Sequence, residues 1–417
     1  MGGIFGAPRA CGTKRMRALL FFLGILLLLV PEILRVYYIM PFPGSQEDVA
    51  TDLRQLDIAY WLHTNIWWIR LIGLVFIMGP LIHYLRNGNW WKRIAVLLPV
   101  MICALVFYAF NFKFMADKMF YPPKEKVMRP HPQPLSQGEG GNALAIVVER
   151  NGDARAYPIE LIGYHHQVLD TIGGEAVLVT YCTVCRTGRA WKPEVNGQPE
   201  NFRLVGMDHF NAMFEDSRTG SWWRQATGEC IVGPLKGQQL EEVPSEQLSI
   251  AEFASRHPKG LVFQPDPSYT EQYAELEGYD DGTIESGLEY RDTASWQMKS
   301  WVVGVVHNGH VRAYDWNALK QLGGITDTLG GTSIYLIAPP HSNDLLVWGK
   351  LLEPVDFMTN PAVQEVYSVV DNWYAPALFH VGDSTKVVIG TRIPAYQEFW
   401  HSWRTFHPNT TRYEPKR

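Results

Sequence analysis

Long apolar runs fill the first third of the chain, and short alternating runs fill the rest. Residues 17–40, 66–85 and 94–112 hold the long runs, each close to the ~20 residues a helix needs to cross a bilayer. Trp67, Trp68, Trp90, Trp91 and basic residues flank them, as expected at a membrane–water interface. The pattern predicts three membrane-spanning helices rather than buried core helices. No clear small-x-small cleavage site follows the first run, which argues against a removed signal peptide. Beyond residue 140 the signal is mostly strand. Leu144 to Val148 runs into Asn151-Gly152, and Ala154 to Tyr157 returns, a hairpin with a type I′ turn. Val302 to Val306, Asn308-Gly309 and Val311 to Tyr314 do the same. Short helices are expected only at Ile159–Tyr164 and Ile250–Arg256. The latter has a counterpart at Tyr396–Phe406, and His257-Pro258 and His407-Pro408 stop both.

The β-rich part is written twice. Asn151-Gly152-Asp153-Ala154-Arg155-Ala156-Tyr157 recurs as Asn308-Gly309-His310-Val311-Arg312-Ala313-Tyr314, an offset of 157 (309 − 152). At that offset Asp170-Thr171-Ile172-Gly173-Gly174 recurs as Asp327-Thr328-Leu329-Gly330-Gly331, Trp191 meets Trp348, and Gly233 meets Gly390. The expected fold is mainly β (α+β): an N-terminal three-helix membrane region and two duplicated β-rich modules. The membrane region is residues 1–120, and 121–140, rich in Pro, Gly and charge, is a linker. The first module is 141–270, with a Cys-x-x-Cys. An acidic connection, Glu271 to Asp281, follows, and the second, cysteine-free module is 298–417. The period is too long for a solenoid.

A net charge of −5 gives no basis for a nucleic-acid partner; the expected partner is the lipid bilayer. Arg9, Lys14, Arg15 and Arg17 precede the first run, and Arg86, Lys92 and Arg93 sit in the second loop, whereas the first loop is acidic. These place the N-terminus in the cytoplasm and the β-rich modules outside it. Lys113, Lys118, Lys124, Lys126 and Arg129 follow the third run on the outer side; the first helix is given priority because it usually sets topology. Too few charges lie in the spans to suggest a transporter, and Arg70 is read as snorkelling.

Of five cysteines, Cys11 and Cys103 fall in the membrane region and are expected to be inert. Cys182-Thr183-Val184-Cys185 aligns with Pro339-Pro340-His341-Ser342 of the second copy, so the sulfur pair belongs to one copy only. A thioredoxin-like fold would need a long helix starting at Cys182, and Gly188, Pro193 and Asn196-Gly197 leave no room for one. Three readings remain: a structural disulfide, a thiol-exchange pair, and half of a soft-metal site. Arg186 and Arg189 are expected to favour the thiolate by charge. His165 is the most attractive third ligand, because its second-copy counterpart is Leu322; a hydrogen-bonded core role is the plain alternative. Met207 and His209 are further candidates, Met207 tilting the site toward copper or else packing in the core. Asp216-Ser217-Arg218-Thr219-Gly220-Ser221-Trp222 is read as a hairpin locked by side-chain bonds, or as pocket lining beside the cysteines. Cys230 is read as a buried free thiol.

Arg155-Ala156-Tyr157-Pro158, Tyr164-His165, Asp170-Thr171, Val179-Thr180-Tyr181-Cys182-x-x-Cys185, Asp216-x-Arg218-Thr219-Gly220-Ser221-Trp222 and Gly233-Pro234-Leu235 resemble the bacterial and archaeal family called domain of unknown function 3179. The resemblance covers roughly residues 141–260 and the second copy more weakly. The family's usual Cys-Pro-x-Cys is Cys182-Thr183-Val184-Cys185 here, its Asp-Arg-Glu-Thr-Gly is Asp216-Ser217-Arg218-Thr219-Gly220, and Arg186 replaces its small residue after the second cysteine. Membership implies an exported or membrane-attached prokaryotic protein and no established activity.

The leading expectation is therefore a multi-pass protein of the bacterial cytoplasmic membrane, with extracytoplasmic modules. Its His165/Cys182/Cys185 site would bind a soft metal, copper ahead of zinc, for handling or electron transfer. The alternatives are a thiol–disulfide exchange enzyme using Cys182 and Cys185, and a binding or scaffolding module with a structural disulfide. Tyr181, Arg186, Asp216, Arg218 and Trp222 are expected as pocket or structural support. The first two readings call for a metal-transfer or redox partner protein.

Overall fold

In a computed structural model the described residues are 9–40, 52–131, 141–285, 287–338, 343–350, 355–356, 377–381 and 383–415. They form two compact units, Met1–Met119 with Val205–Asp208, and Phe120–Leu204 with His209–Arg417.

The first unit is built on three long helices: α1 (Arg9–Tyr37), α2 (Asp52–Asn87) and α3 (Trp90–Phe112). Each is long and apolar enough to cross a membrane. Asn89 caps α3 by accepting from the Lys92 amide at 3.2 Å, satisfying a donor that the first turn leaves free. Helix α2 starts 14 residues before the apolar run, because the polar stretch ahead of Ile66 is itself helical. Arg70 does not snorkel. It lies 7% exposed inside the bundle, where Glu32 of α1 accepts from its Nε at 2.5 Å. Pairing with a carboxylate on a neighbouring helix is the arrangement expected of an ionisable residue inside such a bundle.

The β-rich unit starts from hairpins whose turns the chain spells out. Asn151-Gly152 and Asn308-Gly309 both have positive φ (49° and 77°, 49° and 75°), the conformation a type I′ turn demands. The first hairpin, Leu144–Arg150 with Asp153–Pro158, lies at the centre of a five-stranded sheet. Ser245–Ser249 joins one side antiparallel, and Leu261–Phe263 joins the other side parallel. The second hairpin, Trp301–His307 with His310–Asp315, is flanked likewise by antiparallel Ala395–Phe399 and parallel Thr411–Arg412. Pairings keep the offset of 157: Val147 opposes Ala156, and Gly304 opposes Ala313.

A second pair of sheets repeats the correspondence. Gln167–Ile172, Glu175–Cys182 and Thr187–Trp191 lie side by side, as do Gly324–Leu329, Thr332–Ile337 and Leu346–Lys350. Leu178 opposes Trp191, and Tyr335 opposes Trp348.

The repeated residues have one job in both halves. Asp170 Oδ2 accepts from the Tyr157 hydroxyl at 2.6 Å, and Asp170 Oδ1 pairs with Arg155 at 2.8 Å. Asp327 Oδ2 accepts from Tyr314 at 2.8 Å and pairs with Arg312 at 2.5 Å. Each carboxylate thus pins a hairpin to the neighbouring sheet. The inward alternate positions, such as Leu144, Ile146 and Val148 or Trp301, Val303 and Val305, fill separate cores, each buried side chain contributing about 1.5–3 kcal/mol.

Several expectations need correction. Tyr396–Phe406 is not one helix: Ala395–Phe399 is a strand, and the helix begins at Trp400, because this segment must pair with Trp301–His307. Trp316–Leu322 is an unexpected helix, the counterpart of Ile159–His165, capped by Asp315 on the Ala318 amide at 3.0 Å. Thr270–Ala274 is a helix that runs from the end of the first module into the stretch Glu271 to Asp281 read as a connection, and Met128–Pro130, read as linker, is a strand paired with Leu261–Phe263. The remaining linker residues 132–140, and Pro339 to Ser342 opposite the cysteines, lie outside the described residues.

Candidate functional site

Cys182 ends one strand, and Thr187 opposite it begins the next. The four residues between them turn the chain, with Arg186 accepting the left-handed conformation (φ 54°). The Arg186 amide donates to the Thr183 carbonyl at 3.2 Å, closing the turn. No helix follows Cys182, so the pair sits on a tight hairpin in place of a helix N-terminus.

Both thiols are free and fully buried, and they are driven apart in acidity. Burial would raise Cys182. It is outweighed by the hydrogen bond from the Cys185 thiol and by the amides of Ala212, Cys185 and Val184, which hold Cys182 below the usual thiol range. Burial and the neighbouring Cys182 push Cys185 far up; a hydrogen bond with Ser402 only partly opposes them. Cys182 also lies 3.4 Å from the Phe210 carbonyl, an acceptor for its S–H when protonated.

The expected role of the arginines changes. Arg186 donates from Nε to Gln397 Oε1 at 2.9 Å and to the Tyr279 and Asp280 carbonyls at 3.1 Å each. Its guanidinium also lies 3.7 Å from the centre of the Trp301 ring. Arg189 pairs with Glu398 at 2.5 Å. Both guanidiniums are engaged by structural partners, and the leading causes that hold Cys182 down are hydrogen bonds.

The other groups around the sulfurs come from the second half. The Phe399 amide donates to the Cys185 carbonyl at 3.0 Å. His401 Nε2 donates to the Val184 carbonyl at 3.1 Å, and burial and the Lys299 charge keep this imidazole neutral, down to about 4. Ser402 Oγ donates to Glu398 Oε2 at 3.0 Å. Lys299 is a cation within electrostatic reach of the pair: burial lowers it, and the charges of Glu289, Cys185 and Cys182 oppose that fall. Repeat alignment could not find these residues, because they come from elements packed across the two halves. The one signal was polar Gln397, Glu398 and Ser402 inside an otherwise aromatic stretch.

The remaining candidates are dispersed. His165 Nδ1 lies 2.6 Å from the Tyr121 carbonyl, so it must carry the proton; Nε2 then accepts from the Tyr273 hydroxyl at 2.7 Å. Both nitrogens are used, and burial depresses the imidazole pKa. Among the described residues no three His, Cys, Asp or Glu side chains gather as a metal site. Met207 is buried near the end of its strand, and His209 and Phe210 form the following turn, the His209 ring meeting Phe406. Asp216 accepts from the Thr219 amide (2.6 Å), the Ser221 amide (3.1 Å) and Trp223 Nε1 (3.0 Å), locking its own hairpin. Trp222 donates to Glu215 at 2.9 Å, and Arg218 is exposed, 3.5 Å from Glu200. Tyr181 lies under the turn, 3.4 Å from the Tyr279 hydroxyl. Cys230 is a buried thiol pushed up to about 11 by burial.

The model of a family described as "Protein of unknown function (DUF3179)" matches residues 127–410. The chain belongs to that family. The DUF3179 match runs through both halves, so the family's unit includes Lys299, Glu398, His401 and Ser402 as well as the cysteine hairpin. No curated protein and no solved structure matches the chain.

Proposed function

We propose that the DUF3179 region is a dithiol–disulfide exchange module in which Cys182 attacks and Cys185 resolves. The observation that carries this reading is geometric: two unbonded thiols share one tight four-residue turn, close enough for the Cys185 thiol to hydrogen-bond Cys182, which singles out Cys182 as the readier thiolate. The Cys182 thiolate attacks one sulfur of a substrate disulfide, forming a mixed disulfide and releasing the other sulfur as thiolate. Cys185 then loses its proton and attacks Cys182, releasing the second substrate thiolate. Two electrons pass from the cysteine pair to the substrate disulfide. Cys182 is fully buried and meets the Phe210 carbonyl at 3.4 Å, so access requires movement of the segment around Phe210. The adjoining turn supports this, since His209 and Phe210 are consecutive non-glycine residues with positive φ (49° and 62°), each a strained conformation. Equilibration of the full chain in thiol redox buffers, followed by acid quench, alkylation and peptide mapping, tests the reading. A Cys182–Cys185 disulfide should form and revert between roughly −180 and −300 mV. A pair that stays dithiol throughout, or a disulfide that mild reductant cannot open, overturns it.

A soft-metal site is the second reading, favoured by two sulfurs close enough to share a hydrogen bond. Two thiolates without a third ligand suit Cu(I) better than zinc, which takes four donors. Copper that co-purifies and is lost in Cys182→Ser, Cys185→Ser supports it; protein that cannot be loaded with Cu(I) under reducing conditions ends it.

The reading also proposes two halves related by duplication, supported by the common strand order and register offset. It places the β-rich region outside the cytoplasm of a prokaryotic cell, the N-terminus inside, supported by the Lys and Arg around the first two spans. Reporter fusions at the C-terminus test the orientation.

A further inference from the structure

We propose, resting on the dithiol-exchange reading, that Ser402 and Glu398 form a proton relay that deprotonates Cys185 as it resolves the mixed disulfide. The second half of the chain brings this relay to the sulfur. The strand Ala395–Phe399 ends, and the helix Trp400–Phe406 begins, against the cysteine turn. The Phe399 amide donates to the Cys185 carbonyl at 3.0 Å, which fixes Cys185 beside the residues on either side of Phe399. Ser402, in the first turn of the helix, hydrogen-bonds the Cys185 thiol and donates from Oγ to Glu398 Oε2 at 3.0 Å. The Thr187 hydroxyl lies 3.3 Å from Ser402 Oγ and 3.4 Å from the Cys185 carbonyl, holding Ser402 against the turn. Cys185, Ser402 and Glu398 are all buried. A hydroxyl can accept one proton while it donates another, so the three side chains form a continuous path.

The charges around Glu398 leave room for that proton. Its Oε1 pairs with Arg189 at 2.5 Å, and Glu242 lies 3.7 Å from the same guanidinium. Glu242 also accepts from the Tyr396 hydroxyl at 2.8 Å. Two carboxylates thus share one guanidinium, and one proton neutralises the excess. Burial, with Glu398, raises Glu242 against the pull of Arg189 and Tyr396, as such an excess requires. His407 feels the Glu398 charge too, but burial lowers this imidazole, so it adds no second cation at neutral pH. Lys299, within electrostatic reach of the sulfurs, favours the Cys185 thiolate once it forms. In the step itself the Cys185 S–H bond breaks, its proton passes to Ser402 Oγ, and the Ser402 proton passes to Glu398 Oε2. The bond between the Cys185 and Cys182 sulfurs forms as the bond from Cys182 to the substrate sulfur breaks, and the electron pair leaves with the substrate thiolate. The cysteine pair ends oxidised, the substrate ends reduced, and Glu398 afterwards loses its proton to water.

The full chain carrying Cys11→Ser, Cys103→Ser and Cys230→Ser, with dithiobis(nitrobenzoate) as the substrate disulfide, tests this. Attack by Cys182 releases one coloured thiolate, and resolution by Cys185 releases a second. The mass of acid-quenched protein reports the mixed disulfide between the two events. Two releases with little accumulated mixed disulfide are expected. In Ser402→Ala and in Glu398→Gln the second release should slow relative to the first by roughly a hundredfold, and the mixed disulfide should accumulate. The second release should also steepen to about tenfold per pH unit between about pH 6 and 8, because Cys185 must then reach its thiolate unaided. A hydroxyl that only packs the core would leave that slope alone. A parent chain that releases fewer than two thiolates overturns the exchange reading and the relay with it. Two releases, with their ratio and pH slope unchanged in folded Ser402→Ala, overturn the relay alone.

Discussion

Single residues around the cysteines divide between chemistry and support, and two substitutions separate the roles. Cys185→Ala removes the S–H donor that lowers Cys182, so the Cys182 thiol should rise. Cys185→Ser keeps an O–H donor and should restore most of the depression. The pH dependence of iodoacetamide labelling reads both, with Cys230, raised to about 11, as an internal control that stays unlabelled at neutral pH. His165 belongs with support. His165→Phe leaves the Tyr121 carbonyl and Tyr273 hydroxyl without their buried partner, which should cost about 2–4 kcal/mol. Thermal unfolding and metal analysis check this: lost stability with unchanged metal content is expected, and lost metal with full stability would make His165 a ligand.

At the scale of elements, the turns carry much of the specification. Gly152 and Gly309 hold positive φ in open space, with no atom near an added Cβ. Gly152→Ala and Gly309→Ala should therefore each destabilise by about 1 kcal/mol through conformation alone, and similar losses of unfolding free energy in the two variants check that. These hairpins were legible because their turn chemistry is local. So were the three apolar helices, the helix Ile250–Arg256 and the absence of a helix after Cys182. Trp316–Leu322 was also spelled in the chain, by Asp315 before it, by Gly323 after it and by its offset of 157 from Ile159–His165. The helical reading of Tyr396–Phe399 failed because pairing with Trp301–His307 overrides local propensity. The environment of the cysteines was the least legible part. Ser402 and Lys299 reach it through pairing of distant segments, and nothing in their spacing from Cys182 reports that.

Across the β-rich unit as a whole, buried titrating groups make stability depend on pH in opposing directions, and one substitution isolates a single contribution. Asp280 accepts from the Leu144 amide at 2.7 Å through Oδ2, and its carbonyl accepts from Arg186 at 3.1 Å. Burial raises it from 3.8 to about 7; Arg186 and the Leu144 amide oppose the rise, and Glu160 and Asp281 add to it. A carboxyl raised on folding gives stability that is whole below the unfolded value near 4 and is lost as pH climbs through about 7. His166, His257 and His401, each lowered from 6.5 to about 4 mainly by burial, act the other way, losing stability as pH falls through that range. They are common to the native chain and to Asp280→Asn, so they cancel in the difference. Asparagine keeps an oxygen for the Leu144 amide and never ionises. The variant's stability relative to the native chain should therefore grow between pH 4 and 7 by on the order of 2–4 kcal/mol and level off above about pH 8. Unfolding measured at pH 4.5, 6 and 8 checks it, and a difference that stays constant over this range would mean that Asp280 is ionised throughout, paired with Arg186 in place of being held neutral by burial.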